Sequence, residues 1–365
     1  MIIEFTNSFV NNYRIHIHSL PLQPNFLFML KIIKNHPLHK HNTFRVKVSA
    51  KFYAAPETLD ELITILHKYR KPDQHLLIIG EGSNILLTNN FHGLVIHPDI
   101  KGIEILDKSS DNVIINVWAG ENWDNFVVYC INNGFGGVEN LSWIPGSVGA
   151  CPIQNIGAYG AEVENVIESV TGILTDSLEQ ITFTRDKCNF GYRDSIFKQE
   201  LRNRFIITNV VFRLSRNPVF NTTYGRLQSE LAGIKKYDLQ SIRQAVIKIR
   251  KDKLPDPDKF GSAGSFFRNP VISKSKFNNL RSDYPDIPAY AENNQNVKIA
   301  AGWLIEKAGW AGKQAGDAGV YKKQALILLN HGSATGKQIK ELAEKIMISV
   351  NKKFGIDLQT EVNII

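Results

Sequence analysis

Residues 140–161 read Asn-Leu-Ser-Trp-Ile-Pro-Gly-Ser-Val-Gly-Ala-Cys-Pro-Ile-Gln-Asn-Ile-Gly-Ala-Tyr-Gly-Ala, with four glycines, two prolines and no charged residue. The stretch is too polar and too broken to cross a bilayer. It has neither the 3.6 nor the 2.0 period of an element with a core face. Such a chain can bring bare backbone close to a flat guest, because glycine lacks the Cβ that would stand in the way. Its amides, and polar groups such as Gln154 and Asn155, would then face that guest. A flavin ring is a guest of this kind: flat, largely apolar, with a hydrogen-bonding edge. An ordinary irregular connection is the alternative, although long loops of this type are usually functional.

The chain has 365 residues, more than one hydrophobic core usually supports, so two or three domains are expected. At 43% hydrophobic and 21% charged, the composition is that of a globular protein. A net charge of +8 suits anionic ligands such as nucleotides without requiring nucleic acid. Lysine and arginine are dispersed rather than gathered in a basic tail. Cys130, Cys151 and Cys188 stand far apart, form no CxxC pair and are odd in number, which favours a reducing compartment. No His/Cys cluster has zinc spacing, so no metal is expected. Residues 1–28 carry only Glu4 and Arg14 as charges and lack the pattern of a signal peptide. Residues 1–36 are read as an N-terminal extension, either disordered or the product of a wrongly assigned start, with Met29 as the alternative initiator.

Thr58-Leu59-Asp60-Glu61 is a capping-box pattern, and apolar residues follow at helical spacing, so a helix is expected over 57–70. Short strands are expected at 76–79, 85–87 and 93–96, and a hairpin over 103–118 with its turn at 109–112. A helix over 122–133 should end at Gly134. Strands near 168–174, 180–184 and 204–214 precede a helix over 239–251, and Leu254-Pro255-Asp256-Pro257-Asp258 then marks a domain boundary. Beyond it, a helix over 299–307, a strand over 325–329 and a helix over 335–352 are expected. Ile356, Leu358, Thr360, Val362 and Ile364 alternate with polar residues, the pattern of a half-buried strand.

Several residues could carry chemistry. Gly80-Glu81-Gly82-Ser83-Asn84 lies between two strands, where backbone N–H groups can form a nest for phosphate oxygens. The loop lacks a third glycine and runs on into a strand, so it is not a dinucleotide fingerprint of the GxGxxG kind. A pyrophosphate loop of another flavin fold and a plain hairpin turn both fit. Ser265 follows glycine and precedes Phe266-Phe267, so its hydroxyl is either a proton relay in a dry site or a turn serine. It is not in a GxSxG elbow. Arg193 offers a fork for a carboxylate, or a surface ion pair with Asp194 or another acid. Glu361 reads on pattern alone as a solvated glutamate. Arg250, Lys251 and Lys253 either neutralise a diphosphate or cap a helix C-terminus.

In order along the chain come Asn42-Thr43-Phe44, the 80–84 loop and Ile-Pro-Gly-Ser-Val-Gly at 144–149. Pro152–Gly160 and Gly-Tyr-Arg-Asp-Ser-Ile-Phe-Lys at 191–198 follow. Lys-Leu-Pro-Asp-Pro at 253–257, Gly-Ser-Phe-Phe-Arg-Asn-Pro at 264–270, Ala-Ala-Gly-Trp-Leu-Ile-Glu at 300–306 and Thr-Glu-Val at 360–362 complete the series. Over residues 40–365 this series resembles the UDP-N-acetylenolpyruvoylglucosamine reductase (MurB) family, and Tyr224-Gly225 within a long central segment resembles its type I branch.

The resemblance implies an α+β fold: a two-part FAD-binding region of the vanillyl-alcohol-oxidase/PCMH type and a separate α+β substrate-binding domain. The first FAD-binding part would comprise 37–102 with 355–365, the second 103–253, and the substrate domain 254–354. It implies a cytoplasmic, monomeric flavoenzyme of peptidoglycan synthesis, with no membrane insertion and no nucleic-acid partner. FAD would be its cofactor, NADPH its co-substrate and UDP-N-acetylglucosamine enolpyruvate its substrate. Ser265 would donate a proton, with Arg193 and Glu361 completing the catalytic set. Gly80, Glu81, Gly82, Ser83, Asn84, Ile153 and Gly157 would hold FAD, and Tyr224, Lys253, Asn269 and Gln324 the uridine diphosphate. The expected chemistry is hydride transfer from reduced flavin N5 to the enolpyruvyl CH2 carbon and a proton from Ser265 to its neighbour. Ala150-Cys151 replaces the hydroxyl-rich pair common in the family, so no side-chain contact to FAD is expected there. A different flavin oxidase on the same fold would share the glycine-rich loops but would not need Lys253, Asn269 and Gln324.

Overall fold

A computed structural model describes residues 31–71 and 74–365; the leader and alternative initiator expected in residues 1–28 lie outside the described residues. Helices and sheets are mixed throughout, an α+β arrangement. The chain divides into two compact units. Among the described residues, one holds 31–35, Lys51–Glu81 and His92–Arg250, and the other His36–Ala50, Gly82–Phe91 and Lys251–Ile365.

The first unit is built round a five-stranded antiparallel sheet, in the order Gln180–Thr184, Ile167–Leu174, Phe205–Ser215, Asn112–Trp118, Ile103–Lys108. The expected hairpin is there, closed by Ser109 N donating to Asn112 O. Val113, Ile115 and Val117 alternate inward from one strand, as period 2 demands. Helix Trp123–Asn132 begins at Asn122, whose side chain accepts from Asn125 N, and it buries Trp123 and Phe126 against Phe212. The Phe126–Phe212 ring centroids are 4.8 Å apart. A second core in this unit packs helix Leu59–Tyr69 through Leu62, Ile65 and Leu66 onto Leu94 and Ile96. Thr58 caps that helix, and Glu61 reaches back to Glu57 N at 2.8 Å.

The second unit has one core. Helix Gly336–Phe354 carries a full Thr335/Gln338 capping box and ends at left-handed Gly355. It buries Ile339, Leu342, Ala343, Ile346, Val350 and Phe354. Two small antiparallel sheets flank this core, one of Val271–Ser273, Asn296–Ile299 and Ala289–Ala291, the other of Gln314–Ala315, Ala318–Val320 and Leu328–Asn330. The strand expected at 325–329 is thus shifted toward 330, and the helix expected from 299 runs Ala301–Lys307 because 296–299 pairs as a strand.

The expected long terminal strand is not one ladder. Burial does alternate, with Ile356, Leu358 and Val362 inside. But Thr360 bridges Phe267, and only Asn363–Ile364 forms a strand, parallel to Ile85–Leu86. The inward residues keep period 2 while the hydrogen-bonding partner changes midway. No helix among the described residues is long and apolar enough to cross a membrane.

Candidate active site

In the first unit, the glycine-rich segment folds into short 3-10 turns and one tiny hairpin, Gly157–Ala158 with Ala161–Glu162. Asn155 sits in the left-handed region and is fully buried. Its Nδ2 donates to Glu162, Glu164 and the Gly191 carbonyl, and its Oδ1 accepts from Glu164 N. This residue therefore turns inward and holds the loop's shape, where the sequence pattern had it facing a guest. Gly157 is closely packed: a Cβ would stand 2.9 Å from Glu162 Cγ, 3.0 Å from the Ala161 carbonyl and 3.1 Å from Arg193 Nη1, so these groups would have to shift. Ile153 is among the exposed large apolar residues, and its carbonyl accepts from buried Ser195 at 2.7 Å.

Arg193 is at φ +55, and its fork spans the loop: Nη2 donates to Gly157 O at 2.7 Å and Nη1 to Asn155 O at 3.3 Å. Asp194 accepts from Gln199 and from Ser195 N. Half-buried Arg193 is thus anchored by two main-chain carbonyls, and its charge also acts on Glu162. Nearby, burial pushes the Glu162 carboxyl up, and the hydrogen bond and charge of Glu164 push it further, against the pull of Arg193 and Asn155.

Also in this unit, Tyr224 precedes helix Gly225–Glu230 and is about half exposed. Its ring meets Tyr159 edge-on at 5.7 Å. Arg250 lies in the last turn of helix Leu239–Lys253. Its Nε donates to Trp143 O at 3.1 Å, and it shares a hydrogen bond with the Tyr159 phenol. Burial lowers the Arg250 pKa and raises that of Tyr159.

The 80–84 loop begins in this unit and ends in the other. At Gly80 a Cβ would come 2.5 Å from Ser147 Oγ. Gly82, at φ +64, has its amide plane against the His41 carbonyl, where a Cβ would overlap, and its own carbonyl accepts from Thr43 N at 3.1 Å. Glu81 is exposed and Ser83 half-buried. Asn84 Nδ2 donates to Glu361 O at 3.4 Å, and Asn84 O accepts from Asn363 N.

The second unit brings Ser265 and Glu361 onto one stretch of backbone. Ser265 bridges Ile327, Phe267 bridges Thr360, and Glu361 N donates to Phe266 O at 2.8 Å. Ser265 follows left-handed Gly264 and is half-buried above Phe266 and Phe267, which are both inside. Asn269 Oδ1 accepts from Ala301 N, opening helix Ala301–Lys307. Gln324 Oε1 lies where a Cβ on Gly302 would come within 2.7 Å, so that glycine makes room for the amide. Lys253, at the end of its helix, is exposed.

These residues suit a flavin dinucleotide. In the second unit, Gly82 admits no side chain and is followed by the uncharged polar residues Ser83 and Asn84, a composition that suits a pyrophosphate lying against bare backbone. Among the described residues no group of His, Cys, Asp and Glu could hold a metal ion. Sequence reasoning missed Trp143, Asp124 and Arg243, treated below. Asp124 and Arg243 stand 119 positions apart, and no local pattern links them.

The model of the UDP-N-acetylenolpyruvoylglucosamine reductase C-terminal domain matches residues 256–365, and that of an FAD binding domain matches residues 50–178. The chain is 45% identical over 339 residues to a UDP-N-acetylenolpyruvoylglucosamine reductase of Flavobacterium johnsoniae, covering 92% of this chain and all of the relative. It is 40% identical to the enzyme of that name from Pseudomonas aeruginosa, over 92% of this chain and 99% of the relative. In fold it is similar to the crystal structure of the Thermus caldophilus MurB, with a TM-score of 0.64 and 21% identity, covering 92% of this chain and 98% of the other.

Proposed function

Because this chain belongs to the UDP-N-acetylenolpyruvoylglucosamine reductase family, we propose that it reduces the enolpyruvyl ether of UDP-N-acetylglucosamine with electrons from NADPH. The membership itself makes it an FAD-containing oxidoreductase of peptidoglycan precursor synthesis. Gly80–Asn84, Ile153 and Gly157 would hold FAD, which would supply the hydride.

The chain's own residues do the rest. Adding hydride to the terminal CH2 carbon drives charge onto the substrate carboxylate. Arg193, held in place by the carbonyls of Asn155 and Gly157, brings a positive charge to that enolate. A preorganised donor at such a centre contributes roughly 10²–10³ in rate. Ser265 gives its hydroxyl proton to the adjacent carbon, a step in which a positioned acid contributes about 10²–10⁴. Serine is a weak acid, so the site must exclude water; the burial of Phe266 and Phe267, the two residues that follow it, supports this. Glu361, in its protonated form, donates a hydrogen bond to the enolate. Tyr224, Lys253, Asn269 and Gln324 bind the uridine diphosphate.

The observation that carries the reading is the backbone pairing of Phe267 with Thr360 and of Phe266 O with Glu361 N, two segments of one unit whose closeness in space supports a shared role for Ser265 and Glu361. Ser265→Ala should leave flavin reduction by NADPH nearly intact and slow reoxidation by the enolpyruvyl substrate at least a hundredfold. Equal loss of both phases in stopped-flow traces would sink the role of Ser265. We also take the protein to be a cytoplasmic monomer. Its buried, unbonded cysteines support a reducing compartment, and light scattering of the purified holoenzyme checks the monomer.

A further inference from the structure

Trp143 is a bulky residue in the left-handed region, at φ +60. Such a conformation is strained and persists only where the surroundings over-determine it. Two side chains hold it, both in the first unit. Its N–H donates to Asp124 Oδ1 at 2.5 Å, and its carbonyl accepts from Arg250 Nε. Asp124 is itself clamped by Arg243, whose Nη1 and Nη2 donate to its two oxygens at 2.7 and 2.8 Å. That fork is well sheltered, with the Arg243 side chain 12% exposed. A planar bidentate pair of this kind fixes orientation as well as charge.

The chain of contacts has a direction. Arg243 and Asp124 join helix Leu239–Lys253 to helix Trp123–Asn132. Asp124 then sets the Trp143 peptide, and the Trp143 carbonyl sets Arg250. The Arg250 guanidinium lies 6.0 Å from the Trp143 ring and bonds the Tyr159 phenol. Tyr159 packs edge-on against half-exposed Tyr224. Arg250 donates to the Trp143 carbonyl, and Asp124, whose charge also acts on it, is held in place by the Arg243 fork.

We propose that Asp124, Arg243 and the backbone of Trp143 form a positioning unit that sets the Arg250–Tyr159 pair for a nucleoside diphosphate at Tyr224. The inference rests on the reading of Tyr224 as a substrate-binding residue. None of the three touches the reacting atoms; each acts through Arg250.

The test uses the FAD-loaded protein and two readouts. Asp124→Asn keeps the shape of the side chain and removes the charge that Arg243 and the Trp143 amide share. It should raise KM for the enolpyruvyl sugar nucleotide about tenfold while kcat changes far less. It should also weaken calorimetric binding of UDP-N-acetylglucosamine by a similar factor. Arg243→Lys, which cannot form the fork, should behave the same way and carries the test if the first variant loses its flavin. Wild-type affinity for UDP-N-acetylglucosamine in a folded, flavin-loaded variant overturns the inference, as does a fall in kcat at constant KM. Failure of the wild-type protein to bind UDP-N-acetylglucosamine at all instead overturns the functional reading beneath it.

Discussion

Gly82 and Gly264 share nearly the same backbone, φ +64 and φ +68, and differ in what surrounds them. A Cβ at Gly264 meets nothing within 4 Å, whereas at Gly82 it runs into the His41 carbonyl. Gly264→Ala should therefore cost only the left-handed penalty, roughly 1–2 kcal/mol. Gly82→Ala adds a steric overlap that the loop must move to relieve, so thermal denaturation should place it clearly below Gly264→Ala, and its flavin absorbance per mole should fall. Both glycines stand out in the sequence, but their surroundings do not. The same limit hides the fate of Asn155. A polar residue in a glycine-rich loop looks available to a ligand, yet this one is consumed by Glu162, Glu164 and Gly191, the last of them 36 positions away. Arg193 was legible as a functional arginine by family pattern alone; its grip on the carbonyls of 155 and 157 follows from folding, not from spacing.

Elements read well from the sequence where one side of them is buried. Helix Gly336–Phe354 declares itself through its apolar stripe and through Thr335 and Gln338, which the structure joins in a capping box. Thr335→Ala should lower unfolding free energy by about 0.5–2 kcal/mol in urea titration, with an unchanged m-value. Helix Lys274–Asp283 gave no such signal, since no residue in it is buried and only its Ser273 cap hints at it. The strands beside it are three or four residues long, too short for alternation to register. At 356–364 the alternation was real and its cause was misread: inward residues line a core while the chain trades one backbone partner for another.

For the whole molecule, acid and thiol chemistry give two further checks. Burial opposes ionisation of Asp124, but the Arg243 and Trp143 hydrogen bonds and the charges of Arg243 and Arg250 outweigh it, holding the carboxyl below its usual 3.8. A carboxyl whose folded pKa is depressed adds stability above its unfolded pKa and loses it as pH falls through the folded value. The melting-temperature gap between wild type and Asp124→Asn should thus be full at neutral pH and close in strong acid, below about pH 3.8. The thiols should be inert. Burial raises all three pKa values, that of Cys188 to about 12 with help from Asp186, so Ellman's reagent should find no fast-reacting thiol until guanidinium exposes them. Lastly, the second unit draws Phe44, Leu86 and Val362 into a single core, from three segments spread over almost the whole chain. During vectorial synthesis on the ribosome, residues 36–50 and 82–91 must wait without their partners until the final hundred or so residues emerge. Nascent chains arrested before that point should remain protease-sensitive at those two early segments.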